Sequence, residues 1–298
     1  MSLWKRRERG HALLFAAPSV LLFAAFVLLP LLYAVYLSFT RFNGVVDPVW
    51  VGLSNYESAW GDSAWWNSVR NTFILAFGGM AIEIPLSLFL AVLLNRALKL
   101  GGFFRTVYFV PHVISIAVMG VVFYFLLRPV DGVINGLLSP IGIVAADMDW
   151  LGSRPTALLS LILVGVWASF GVNTILFLVG MQTISRDIYE AARIDGAGSW
   201  KMFSRITVPL LSPILRIVVM LSIIFSMRSF DLVKTLTDGA PAGQTEVMFT
   251  YLFGYYFGLD HGAQYGYASA LAVYAAIIVA ILSVIYLYLS RSKDGGSR

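Results

Sequence analysis

The 298-residue sequence contains no cysteine and only three histidines, His11, His112 and His261. Without thiols there is no disulfide, no thiolate-held metal and no cysteine nucleophile. The histidines are too scattered along the chain to make a metal set. Charge is scarce as well: Asp, Glu, Lys and Arg make up 12% of the residues, where soluble domains carry about a quarter. Three signatures are also missing. No G-x-x-x-x-G-K-[ST] phosphate loop occurs, so any ATP chemistry of the P-loop kind must sit on another chain. No H-E-x-x-H and no close Ser–His or paired-carboxylate set is present, which speaks against a membrane-embedded enzyme. The net charge of +5 could suggest nucleic acid, but there is no basic stripe interleaved with aromatics of the kind single-strand binders need.

What the chain does have is oil, since 59% of it is hydrophobic. Six apolar runs are long enough to cross a bilayer core of about 30 Å, which takes roughly 20 helical residues. They fall at about 12–39, 69–94, 107–127, 156–181, 208–229 and 268–289. The expected fold is therefore all-α: one polytopic membrane domain over 1–298 with six transmembrane helices. The first run exceeds the 7–15-residue apolar core of a signal peptide and reads as an uncleaved anchor, kinked by Pro18 and Pro30. Basic residues collect on one side: Lys5, Arg6, Arg7, Arg9, Arg96, Lys99, Arg105, Arg186, Arg193, Lys201, Arg205, Arg291, Lys293 and Arg298. The positive-inside bias then puts both termini and the 182–207 segment in the cytoplasm. Trp50, Trp60, Trp65, Trp66 and Trp150 fall on the other side, as an interfacial belt would require.

Between the fourth and fifth runs lies a polar, charge-mixed segment, Glu190-Ala-Ala-Arg-Ile-Asp-Gly-Ala-Gly198. Asp187 with Glu190 three residues later reads as an N-cap of capping-box type, and both acids complement the helix dipole. Gly196 and Gly198 end that helix, and Trp200 and Phe203 open a second amphipathic stretch toward Pro209. Taken alone, this is either a well-capped solvated loop or a docking helix whose small-residue face admits a partner closely.

Glu190-Ala191-Ala192, Asp195-Gly196-Ala197, Phe203, Ile206 and Pro209 resemble the EAA loop of ABC importer permeases, with Val208 where that pattern usually has Leu. The carbohydrate-uptake, maltose-type branch, in its larger permease form, is resembled elsewhere too. Its likeness is carried by Val51-Gly-Leu-Ser-Asn-Tyr56, Phe230-Asp231, Leu236-Thr-Asp-Gly-Ala-Pro241 (Gly239-Ala240-Pro241 replacing the usual G-G-P) and Gly266-Tyr-Ala-Ser-Ala-Leu271. The resemblance implies a permease subunit of a bacterial or archaeal plasma-membrane importer for a sugar, polyol or oligosaccharide. It implies partners as well: a second homologous permease, two copies of a cytoplasmic ATPase that hold ATP and magnesium, and an extracytoplasmic solute-binding protein. Glu190, Ala191, Ala192, Asp195, Gly196 and Ala197 would then be the ATPase-coupling residues, with no cofactor on this chain.

Polar groups inside spans are costly and face a cavity or another helix. Ser222, Ser226 and Ser229, at i, i+4 and i+7, would share one helical face, flanked by Phe225 and Phe230. Ser169 and Asn173 share a face in the fourth run, near Trp167. Hydroxyls and amides beside aromatic rings suit a sugar; the alternative is helix packing. The resemblance places substrate contacts at Trp167, Ser169, Phe225, Ser226 and Ser229. Arg228 either pairs with Asp231 or selects an anionic solute, and Glu83, beside Pro85, faces the bundle. An ion-coupled secondary transporter using Glu83 and Arg228 is the rival reading, and it leaves the EAA segment unexplained.

Overall fold

The computed structural model describes residues 15–95, 101–227, 229–258 and 262–291. Arg228, His11, His261, Arg96, Lys99, Lys293, Arg298 and the N-terminal basic cluster lie outside them. The chain divides into two compact units, one of residues 1–62 with 252–278 and the other of residues 63–251 with 279–298. Among the described residues, four helices are long and apolar enough to cross a membrane, or six if each of two bent pairs is one span.

In the first unit, α1 (Phe15–Ser38) contains a widened π turn at Ala24–Leu28. Pro30 follows after Leu29 and cannot donate to the carbonyl of Phe26, the kind of interruption at which such turns form. After α1 come a short antiparallel ribbon, β1 (Thr40–Arg41) with β2 (Val49–Trp50), and α2 (Ser54–Gly61). The Val51–Tyr56 signature is a staple for this corner. Gly52 takes a positive φ of 61°, and the Asn55 amide donates to the carbonyls of Ser38 and Thr40, both at 2.9 Å. Tyr56 shares a hydrogen bond with the Ser38 hydroxyl at 2.6 Å. Gly266 has an equally local reason: a Cβ there would collide with the Thr40 carbonyl.

The second unit is built on α3 (Ser63–Asn95) and α7 (Arg154–Gln182). On α3 the buried positions include Trp65, Val69, Thr72, Ala76, Met80, Glu83, Ser87, Ala91 and Leu94, an i+3/i+4 stripe. On α7 the stripe includes Ala157, Leu161, Val164, Ala168, Gly171, Thr174, Leu178 and Met181. Small residues on both let the backbones approach, the usual basis of helix packing in lipid. Two apolar cores result among the described residues. One gathers Leu75, Leu161, Val164, Leu232 and Leu236; the other gathers Ala91, Leu94, Phe177, Met181, Leu211 and Val218.

The run expected at 107–127 is not one straight helix. It is α4 (Gly101–Val113) and α5 (Ile116–Leu126), bent by 100°. Pro111 lacks the N–H that would continue the ladder, and Ser115 is extended (φ −56°, ψ 133°). After α5 a short α6 (Val133–Leu138) begins a loop gathered by buried Asn135. Its amide donates to the Met148 carbonyl at 2.9 Å, and its oxygen accepts from Trp150 Nε1 at 2.7 Å. The run expected at 208–229 is broken as well. Beyond α7 come α8 (Arg186–Ile194), then α9 (Ser199–Leu210), which bends by 68° into α10 (Ser212–Met227). The break falls at Leu211, because Pro213 rather than Pro209 interrupts the hydrogen-bond ladder there.

The chain continues through α11 (Phe230–Leu236), α12 (Met248–Phe257) and α13 (Tyr265–Arg291). The 237–247 loop is anchored by buried Asn71, which donates to the carbonyls of Gln244 and Glu246, both at 2.8 Å, and accepts from Arg154 at 2.9 Å. Trp65 departs from the expected interfacial belt: it is fully buried, 6.1 Å from the ring of Tyr251.

Candidate functional site

The polar segment forms the expected short helix, with different caps. The N-cap of α8 is Ser185, not Asp187: its hydroxyl accepts from the Asp187 N–H at 3.2 Å. A short hydroxyl reaching the second helical N–H satisfies a donor that Asp187 would leave open, so the helix starts two residues earlier. Asp187 stays in the first turn and Arg193 in the last, each matching the dipole. At the other end Gly196 takes φ 75°. Its N–H donates to the Arg193 carbonyl at 3.0 Å, and that of Ala197 to Ala192 at 2.9 Å. This is a Schellman closure, and it needs a residue without Cβ strain at positive φ. Gly198 does not terminate α8; it is extended and precedes the first residue of α9.

No residue of α8 is buried. Glu190, Ala191, Asp195 and Gly196 are exposed, while Ala192 and Ala197 are half-buried. The two alanines therefore differ: Ala191 belongs to the open face with Glu190, and Ala192 to the face turned toward the protein together with Tyr189. Ile194 and Trp200 leave large apolar surfaces uncovered beside them, at 87% and 76% exposure.

The candidate path residues separate into two groups. Asn173 and Ser222 are buried, and the Asn173 amide donates to the Glu83 carboxyl and, at 3.4 Å, to Ser222 Oγ. The Ser169 hydroxyl donates to the Gly165 carbonyl at 2.9 Å. Asn173 is thus the centre of a polar node joining α3, α7 and α10. The node lies between the two apolar cores, about 12 Å along α3 from both Leu75 and Ala91 at 1.5 Å per residue. Sequence reading placed Glu83 toward the bundle but did not connect it with Asn173 and Ser222, because a pairing 90 residues apart has no local signal.

The second group is aromatic and open. Phe225 is 61% exposed and Trp167 38%, the latter set edge-on to Phe123 at 5.3 Å. Ser226 is half-buried, and its carbonyl accepts from the Ser229 hydroxyl. The expected three-serine face stops short at its third member. α10 ends at Met227, and Ser229 stands in the turn that precedes α11, next to half-buried Phe230.

Residues 83–295 match the protein family described as binding-protein-dependent transport system inner membrane component. The lactose transport system permease protein LacF of Rhizobium radiobacter is 34% identical over 251 residues, covering 83% of this chain and 84% of LacF. The trehalose/maltose transport system permease protein MalF of Thermococcus litoralis is 31% identical over 242 residues, covering 81% of each. Among solved structures, a chain of a bacterial ABC transporter involved in the import of the acidic polysaccharide alginate has the same fold. It superimposes with a TM-score of 0.83 at 24% identity, covering 97% of this chain and 98% of its own. The chain belongs to the family of inner membrane components of binding-protein-dependent transport systems.

Proposed function

We propose that this chain is the permease subunit of an ABC importer for a sugar or oligosaccharide, forming half of the translocation path. One observation carries the reading: an exposed, doubly capped helix, Arg186–Ile194, bears the Glu-Ala-Ala sequence on a chain of the transport family. Its neighbours support the solute class, since relatives along most of the length are permeases for lactose and for trehalose and maltose. In this reading each bent pair counts as one span, giving six, and the side carrying α8 and both termini is cytoplasmic. The membrane is a bacterial or archaeal plasma membrane.

Glu190 and Ala191 present the docking face to an ATPase subunit that holds ATP and magnesium, and Ile194 lies beside them. Two such subunits, a second homologous permease and an extracytoplasmic solute-binding protein complete the complex. A solved relative of the fold was crystallised with a periplasmic protein carrying an alginate pentasaccharide. Closure of the ATPase pair moves α8, and the bundle rocks between two access states. Trp167, Phe225, Ser226, Ser229 and Phe230 line the path, where ring faces stack on pyranose faces and hydroxyls bond to hydroxyls. Asn173 and Ser222 border it through the node, Ser169 borders it one helical turn from Asn173, and Arg228 either sets its charge preference or pairs with Asp231.

The test compares the reconstituted complex containing the wild-type chain with Glu190→Lys. Loss of the co-purifying ATPase together with ATP-driven sugar uptake is the expected result. Full uptake by the variant would deny Glu190 its role, and a wild-type chain that retains no ATPase would overturn the importer reading.

A further inference from the structure

The docking helix α8 has no fully buried residue, so its packing against the protein is confined to half-buried Tyr189 and Ala192. Its caps, Ser185 and the Gly196 turn, are internal to the loop and shape the helix without fixing where it sits. Among the described residues, one side-chain hydrogen bond links α8 to another element. Tyr189 Oη meets Thr207 Oγ1 at 2.9 Å. Tyr189 and Ala192, three residues apart, are the half-buried positions of α8, so the tyrosine marks the face opposite the exposed Glu190–Ala191 face.

Where the tyrosine lands gives the contact its meaning. Thr207 is buried, at 7% exposure, and is the last residue of a π turn, Phe203–Thr207, inside α9. Its hydroxyl also lies 3.4 Å from the Met202 carbonyl. One arrangement uses both contacts: Thr207 donates to Met202, and Tyr189 donates to Thr207. The tether therefore ends on the wide turn itself, and wide turns inside α-helices are uncommon and concentrate at functional sites. Four residues beyond Thr207, the chain bends at Leu211 into α10, the helix that carries Ser222.

We propose that Tyr189 is a positioning residue for transport: its hydroxyl, held by Thr207, registers the docking helix against the π turn of α9 and passes displacement of α8 to α10. The proposal rests on the reading of α8 as the ATPase-docking helix. A flexible loop hinged at Ser185 and Gly198 would otherwise absorb a push on its outer face. A directional hydrogen bond on its inner face converts that push into movement of α9.

The experiment uses the whole complex with Tyr189→Phe, which keeps the ring, Thr207→Val, which keeps the shape, their combination, and Thr207→Ser, which keeps the hydroxyl. Two quantities are read: the ATPase subunit that co-purifies, and the solute imported per ATP hydrolysed by each assembled complex. Tyr189→Phe and Thr207→Val should retain the ATPase and lose about fivefold in solute per ATP, the factor one net hydrogen bond corresponds to. The combination should be no worse than either alone, and Thr207→Ser should transport like wild type. An unchanged ratio in Tyr189→Phe overturns the proposal. So does a combined loss equal to the product of the single losses, which would mean that the two hydroxyls act separately. A fall in co-purification with the ratio per assembled complex intact would make the bond merely structural and also overturns it. A wild-type complex without ATPase is a different failure, that of the docking reading itself.

Discussion

Replacing Asn173 by leucine tests whether the polar node is a fastening between helices or an open part of the path. Its amide donates to both Glu83 and Ser222. Hydrogen bonds between membrane helices average about 0.6 kcal/mol each, so the two together contribute about 1 kcal/mol. The larger effect is what remains behind. Glu83 is only 6% exposed, and a buried polar group stripped of its donor costs a further 1–3 kcal/mol or so. Asn173→Leu should therefore destabilise the chain by about 2–4 kcal/mol. Glu83→Leu removes the carboxyl and leaves the Asn173 amide with Ser222, for a loss of about 1–2 kcal/mol. The double variant leaves neither group unpartnered and should return to within about 1 kcal/mol of wild type. Unfolding of the four proteins in one detergent, followed by tryptophan fluorescence, gives the cycle directly. A double-variant loss equal to the sum of the single losses would refute the reasoning, because the two side chains would then not depend on each other. If the double variant regains stability but not uptake, the node has a transport role beyond fastening.

Two other outcomes follow from the geometry. A Cβ at Gly171 would run into the backbone carbonyl of Tyr108, which cannot rotate aside as a side chain could. Gly171→Ala should lower stability by about 1–3 kcal/mol through separation of α4 from α7, measured by thermal unfolding, and an unaltered midpoint would contradict the close approach. Combining Trp167→Ala with Ser226→Leu should reduce uptake while basal ATP hydrolysis of the complex survives; unchanged uptake would mean that these residues only pack.

The sequence made the helical elements readable wherever a single physical rule governed them. The 156–181 run became α7, displaced by a residue or two at each end, because nothing inside it competes with helix. The 107–127 and 208–229 runs were harder, since hydropathy reports that a segment is oily but not that it is straight. Pro111 and Pro213 were visible, yet membrane helices tolerate proline, and only the surrounding packing shows where one bends a helix by 100° or 68°. The cap at Ser185 was missed for a related reason. Asp187 with Glu190 satisfied a pattern, while the serine two residues earlier satisfied the backbone N–H. The Glu190–Ala197 segment was legible because its chemistry is contiguous. The node was not, since Glu83, Asn173 and Ser222 are distributed over three helices and each alone reads as a polar group that needs a partner.

That distribution bears on how the bundle can move. Between apolar helices in lipid there is little hydrophobic driving force, because the acyl chains are as apolar as leucine. The contacts among Leu75, Leu161 and Leu232, or among Leu94, Met181 and Val218, therefore resist separation more than rotation or sliding. A hydrogen bond is directional and does resist rotation. The Glu83–Asn173–Ser222 node, set between the two cores, fixes the register of α10 against α3 and α7. Ser222 stands eleven residues, or about 17 Å, along from the bend at Leu211. α10 is thus held by a polar contact partway along its length and joined at its first turn to α9, which α8 touches through Thr207. A helix held in that way responds to a push at its end by tilting about the node rather than by sliding past it. Tilting about a buried point is the motion that opens one end of a bundle while it closes the other.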